Sequence, residues 1–338
     1  MEEEPKALDF VAVGDIVTDS FIDLKDVRID KEKDEGDHGY DEICFRFGDK
    51  IPYEDVEVVP AVGNSPNAAV SASRLGLNTG LITNVGDDIY GKQDLEQLRS
   101  ESIDLSNVEV HEGERSNLHY VLQFGAERTI LVNHQQYNYK FPELDPAPKY
   151  LYLSSLAENS LPYHEEIADY LEKHSETKLA FQPGTFQMKL GYEKLKRLYE
   201  LSELFFCNKQ EAQRILETKE DDIKELAKIM HEHGPNIAVI TDGVNGAYAF
   251  DGNEMWHMPM YPDPKPPIDR TGAGDSFSST FTAAMATGKS IPEALEWGPV
   301  NSMAVVQDIG AQAGLLSREK LLEHLENRPE DYQPSKLE

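Results

Sequence analysis

Two rhythms of apolar and polar positions run along the chain. Short continuous apolar runs at 8–13, 81–83, 150–156, 178–181, 204–207 and 236–241 read as strands buried on both faces, with a further strand at 247–250. Between them lie stretches of helical period, among them 163–174 and 277–285. Strand and helix in repeated succession imply right-handed crossovers. The predicted fold is therefore α/β, a doubly wound, mostly parallel sheet flanked by helices. The second rhythm is strict alternation, at 43–47 and 56–59 and again in the hairpin pattern 118–132, with turn residues between. These ribbons predict a small sheet set apart from the main one. Residues 25–40 are crowded with Asp, Glu and Lys and have no apolar period, so they read as an exposed acidic insertion. The expected organisation is one α/β unit over 1–327, with a discontinuous small sheet at about 20–60 and 112–135, and a loose polar tail at 328–338.

Composition narrows the function classes. The 338 residues are 39% hydrophobic, enough for a sizeable core, and carry a formal charge of −30. Nucleic acid and anionic membrane surfaces would repel such a chain, so neither is an expected partner. No apolar run approaches the length of a membrane span, and Met1-Glu2-Glu3-Glu4-Pro5 has the wrong charge for a signal peptide, which points to a cytoplasmic protein. Cys44 and Cys207 are far apart in apolar settings and read as buried thiols.

The most informative stretch is Asp269-Arg270-Thr271-Gly272-Ala273-Gly274-Asp275, which leads into the amphipathic run 277–285. Orphan amides at a helix start, backed by the macrodipole, attract an anion, and Gly272 and Gly274 leave the backbone bare for close approach. Asp275 is the odd feature, because a bound phosphate would repel it. Either it caps the helix or it takes a proton from a hydroxyl attacking a phosphoryl group.

This string resembles the Asp-Thr-x-Gly-Ala-Gly-Asp signature of the ribokinase-like (phosphofructokinase-B) family of carbohydrate and nucleoside kinases, and motifs along nearly the whole chain occur in that family's order. The resemblance implies that Gly272, Ala273 and Gly274 form an anion hole and that Asp275 is the catalytic base. It makes the small sheet a lid over the substrate. It also implies that Asp19, five residues after Gly14, accepts a sugar hydroxyl, and that Val62-Gly63-Asn64-Ser65-Pro66-Asn67 is the sugar-binding Gly-Gly-x-x-x-Asn motif, with Gly63 and Asn67 as ligands and Val62 departing from the pattern. Asn208 and Glu211 match the Asn-x-x-Glu motif, which tunes phosphate and Mg²⁺ binding. On spacing alone they fit a capping box equally well. Thr241, Gly243 and Gly246 fall in the nucleotide loop. Asn301 and the segment 310–314 would flank the adenine and, with Asp269, form a monovalent-cation site for K⁺. The Gly86-x4-Gly91-Lys92 spacing is not a P-loop, since Asp87 and Asp88 would repel phosphate and Gln93 replaces the Mg²⁺-holding hydroxyl.

The expected activity is ATP-dependent phosphorylation of a small sugar, with Mg²⁺ held near Glu211. A nucleoside kinase of the same fold is the alternative, with Phe45, Phe47 and Tyr120 lining a slot for the base. A non-catalytic sugar- or nucleotide-binding regulator is the rival from another class. Phe45, Phe47, Tyr120 and Leu122 also put enough apolar surface on the lid to suggest a homodimer through it.

Overall fold

The computed structural model describes residues 7–31, 41–125 and 127–337. Six parallel strands join the wholly apolar first one, Phe10–Val13. Thr79–Gly86 pairs on one side of it; on the other lie Tyr150–Leu153, Lys178–Phe181, Ser202–Asn208 and Ile237–Thr241 in succession. The order thus reverses at Phe10–Val13. In open α/β sheets, ligands bind beyond the strand carboxyl ends at such a reversal. Val108–His111 closes one edge in parallel, and Ala247–Phe250, Met255–Met258 and Ser335–Leu337 close the other antiparallel.

Both faces are covered by helices, and each buries its own apolar cluster. Asn64–Arg74, Ala273–Ala286 and Ile291–Val305 pack on one face; Leu161–Lys173, Tyr192–Leu201 and Ile223–Glu232 pack on the other. The helix Ala273–Ala286 is buried through most of its length because its small residues, Ala, Ser and Thr, allow close packing.

The lid is a four-stranded sheet in the order Tyr53–Val62, Val17–Leu24, Leu118–Phe124, Glu127–Leu131. Its hairpin was legible from alternation, but two parts differ from expectation. Val17–Leu24 is a lid strand, so Asp19 belongs to the lid and not to a loop after the first strand. The ribbon expected at 43–47 is instead Asp41–Cys44, paired with Arg28–Lys31 in a separate two-stranded sheet, and Phe45 and Phe47 follow it exposed. Of the acidic insertion, residues 32–40 lie outside the described residues. The tail expected to be loose contains the edge strand Ser335–Leu337 and the buried Tyr332, whose hydroxyl donates to Glu296 O at 2.6 Å. Cys44 and Cys207 are free thiols, and only Cys207 is fully buried.

Candidate active site

Asp275 lies in the first turn of Ala273–Ala286 and is only 8% exposed. Three side-chain amides converge on it. Asn64 and Gln182 donate to Oδ1 at 2.7 and 3.1 Å, and Asn67 donates to Oδ2 at 2.9 Å. Burial pushes its pKa up; the three amide donors oppose that, and the net direction is upward. One oxygen takes two donors and the other takes one, so Oδ2 has the freer lone pair.

The backbone around it is arranged by two glycines. Gly272 caps the helix with φ of 79° and packs on the 310–314 segment so closely that a Cβ would stand 2.5 Å from Ala311 Cβ. Around Gly274 the nearest atom to an added Cβ is Gln182 Nε2 at 3.8 Å, so its face is open. The first intrahelical bond runs from Ser276 N to Gly272 O at 2.8 Å. The amides of Ala273, Gly274 and Asp275 are therefore the orphan donors of this helix start.

Two cavities meet at Gly274. A slot of about 250 Å³ is walled by Phe277, Pro299, Met303 and Val306 and closed by the turn at Gly243 and Gly246. Its neighbour, a polar basin of about 660 Å³, is lined by Asn208, Glu211, Asp242 and Asp275. Thr241, Gly243, Val244, Arg270 and Gly274 border both. Asn208 and Glu211 form a reciprocal capping box, Glu211 Oε2 accepting from Asn208 N and Asn208 Oδ1 from Glu211 N, each at 2.9 Å. Burial raises the Glu211 pKa, and the charge of Asp275 adds to it.

Between the first strand and the lid stands a polar wall. Asp15 O approaches Gly63, the neighbour of Asn64, to within 2.9 Å of where a Cβ would stand. Tyr139 Oη donates to both Asp15 oxygens, at 2.8 and 3.0 Å, and His134 Nδ1 is 3.3 Å from Oδ2. Asp19 and His119 face each other across adjacent lid strands with Nδ1 to Oδ1 at 3.3 Å, close enough for an ion pair but not aligned as a hydrogen bond. Asp19 Oδ1 and His119 Nε2 are buried without a hydrogen-bond partner. The rings of His119 and His134 stand 5.0 Å apart. Two acid–imidazole pairs side by side, with open polar atoms, suit a polyhydroxylated guest.

A model of the pfkB family carbohydrate kinases matches residues 40–318. The chain belongs to this family. It is a phosphotransferase with an alcohol group as acceptor. Similar proteins include 5-dehydro-2-deoxygluconokinase of Halalkalibacterium halodurans, 29% identical over 77% of this chain and 84% of that one. Cytidine kinase of Thermococcus kodakarensis is 26% identical, over 73% and 88%. The fold is that of Arabidopsis thaliana ribokinase, solved with ribose and ATP, at a TM-score of 0.79 and 20% identity covering 95% of this chain and 99% of that one.

In this kinase the residues singled out from sequence fall into three groups. Ala273, Gly274, Asp275, Asn208, Glu211, Thr241, Gly243 and Gly246 line the two cavities, with Gly272 as the cap of the helix that carries Asp275. Asn67 touches Asp275 and Gly63 lies beside Asn64; Asn67 donates to Asp275 and accepts from Gln312 Nε2 at 2.9 Å, so it positions the acid. Asn301 is misplaced by the sequence reading. It is wholly buried, donates to Thr280 at 2.8 Å and accepts from Leu316 N at 2.9 Å, while its neighbours Ser302 and Met303 line the slot.

Asp269 departs furthest from expectation. Its Oδ1 accepts from Thr271 N at 2.9 Å, Thr271 Oγ1 at 2.7 Å and Arg128 Nη1 at 3.0 Å, and its Oδ2 accepts from Gly310 N at 3.1 Å. Burial works to raise its pKa, but these donors and the Arg128 charge hold it below the ordinary value. Oδ2 keeps a free lone pair, but at Oδ1 the guanidinium already supplies the positive charge that a monovalent cation would bring. Sequence reasoning missed Asn64 and Gln182. Asn64 had a signal, standing three positions before Asn67 on one helix face, and Gln182 follows directly on the parallel strand Lys178–Phe181.

Proposed function

We propose that this kinase transfers the γ-phosphoryl group of ATP to a hydroxyl of a small sugar. The observation that carries the reading is Asp275, a buried acid at a helix start, held by three amides between the polar wall and the basin. An acceptor hydroxyl approaching from the wall gives its proton to Asp275 Oδ2 as its oxygen attacks phosphorus. The amides of Ala273, Gly274 and Asp275 stabilise the charge on the transferring group. The adenine occupies the apolar slot beside Thr241, Gly243 and Gly246, and the phosphates lie in the basin. Mg²⁺ supplies neutralisation of the triphosphate charge, and Glu211 suits it: the capping box fixes the carboxylate through Oε2, the usual single protein anchor for an ion that keeps its waters. Lid closure excludes water that would otherwise hydrolyse ATP.

The acceptor is a sugar and not a nucleoside because the wall is polar. Phe47 is fully exposed, Phe45 is about half exposed, and Tyr120 alternates with His119 onto the outer face of the lid, so none of the three offers a slot for a base at the wall. Phosphoryl transfer measured across sugars and nucleosides tests this. The highest kcat/KM is expected with a neutral sugar, and His119→Ala should lower it roughly tenfold, mainly through KM, as expected for one lost hydrogen bond to substrate. Preference for a nucleoside would transfer the reading to that rival; ATP binding without transfer to any acceptor would support a non-catalytic regulator.

A further inference from the structure

The family resemblance leads to a monovalent cation at Asp269, yet that carboxylate already takes four protein donors, and the one that carries a charge comes from the lid. Arg128 belongs to Glu127–Leu131, the outermost lid strand, and pairs with Gln123 across the hairpin. Cross-strand register puts Arg128, Gln123 and Asp23 in one row, two residues along each strand from the row of Val121 and Phe21, which is itself two along from His119 and Asp19. Side chains two apart share a face, so Arg128 points to the same side as the acceptor wall. From there its Nη1 reaches Asp269 Oδ1 at 3.0 Å and also donates to Thr271 Oγ1, 143 positions away.

We infer that Arg128 is the fixed cation of this site: a latch that ties the closed lid to the glycine loop and takes over the charge-balancing and loop-ordering role of a bound monovalent ion. This rests on the kinase reading for its effect on rate, but not for the latch itself. Asp269 joins three segments, the lid through Arg128, the glycine loop through Thr271 and the 310–314 segment through Gly310. Gly272 packs directly on Ala311, so whatever orders the 310–314 segment against Asp269 also sets the start of the anion hole. An exposed ion pair contributes little. Here the Asp269 side chain is 12% exposed and already fixed by three other donors, so the guanidinium meets a preorganised partner, while its own 39% exposure leaves the pair easy to open for substrate entry. Arg128 is thus a positioning residue that couples lid closure to the order of the anion hole. Both bonds come from its Nη1, held at the end of a planar, permanently charged group, and a lysine ammonium would have to carry a more strongly hydrated charge to the same point.

Two measurements test this. Hydrogen exchange of the unliganded protein should show residues 127–131 exchanging at least several-fold faster in Arg128→Ala than in wild type; unchanged exchange overturns the latch, whether or not the protein proves to be a kinase. For phosphoryl transfer, wild type should vary less than about twofold when K⁺ is replaced by Na⁺ or tetramethylammonium. Arg128→Ala should be at least roughly tenfold slower, recover in part with millimolar guanidinium ion, and acquire a response to K⁺; Arg128→Lys should fall between the two. A wild-type enzyme that loses tenfold without K⁺, or an alanine variant that is as fast as wild type or indifferent to added guanidinium, overturns the substitution of Arg128 for the cation. If no acceptor is phosphorylated at all, the kinase reading fails and the exchange result alone judges the latch.

Discussion

Asp275 and Asp94 show how the same desolvation acts on two buried acids with different outcomes. At Asp275, three amide donors support the anion within a buried setting, and in the proposed role of base the raised pKa would bring it closer to the working pH, where proton transfer is most effective. A base must be ionised to act, so if Asp275 has the proposed role the acid limb of turnover should lie above the ordinary aspartate range. Asp94 has no such role in the chemistry. Fully buried behind the lid, its Oδ1 accepts from Thr18 Oγ1 at 2.8 Å and from Ala61 N at 2.7 Å, and Oδ2 has no partner. Burial pushes it up to about 6, despite those two donors. The folded state therefore binds a proton that the unfolded chain has already released. Its stabilisation is complete below the ordinary aspartate value and is lost as pH rises through about 6. Relative to Asp94→Asn, wild type should lose stability on the order of 2–3 kcal/mol between pH 4 and pH 7.5. Denaturant unfolding of both proteins at the two pH values checks this, and a pH-independent difference would contradict it. The same acid fixes Ala61, a non-glycine residue at φ of 59°, at the root of the lid strand Tyr53–Val62.

At the scale of elements, the lid shows where pattern reading works and where it stops. The hairpin was legible because its apolar and polar residues alternate over two strands joined by a turn. The strand Val17–Leu24 was not, because Thr18, Asp19, Ser20 and Asp23 break the apolar pattern; Thr18 is satisfied by Asp94 and Asp19 faces His119, and both partners are distant in sequence. For the same reason the Gln182 amide on Asp275 and the Arg128 contact with Asp269 could not be read from spacing. The motif residues were legible, because glycines and an acid at a helix start carry their own chemistry. The lid's outer face bears Val56, Val58, Tyr120 and Leu131, each between 42% and 52% exposed, in adjoining rows across the sheet. This is a contiguous apolar face with two polar members, Ser20 and Thr129, and a second copy of the lid would cover it. We expect a homodimer, and Tyr120→Asp should shift it to monomer by light scattering without changing the acceptor preference. A wild-type monomer at high concentration, with and without substrates, would contradict the dimer and leave the kinase reading intact.

Across the whole molecule, function depends on parallel strands ending together. Gln182, Asn208 and Thr241 lie at or just past the carboxyl ends of Lys178–Phe181, Ser202–Asn208 and Ile237–Thr241 and line one basin with Asn64 and Asp275, which are 211 positions apart. The net charge of −30 opposes an anionic nucleotide at long range. Local features must overcome it, and these are the helix start at Ala273, the Arg270 that borders both cavities and the Mg²⁺ proposed at Glu211. Among the described residues no helix is long and apolar enough to cross a membrane. The proposed chemistry needs one acid, Asp275, to deprotonate an acceptor hydroxyl. Asp275→Asn keeps the shape of the side chain and removes the base. Single-turnover transfer to the best sugar acceptor should slow by about a hundred- to ten-thousand-fold, while ATP affinity changes less than severalfold. Wild-type transfer rates in that variant, with ATP still bound, would contradict the account.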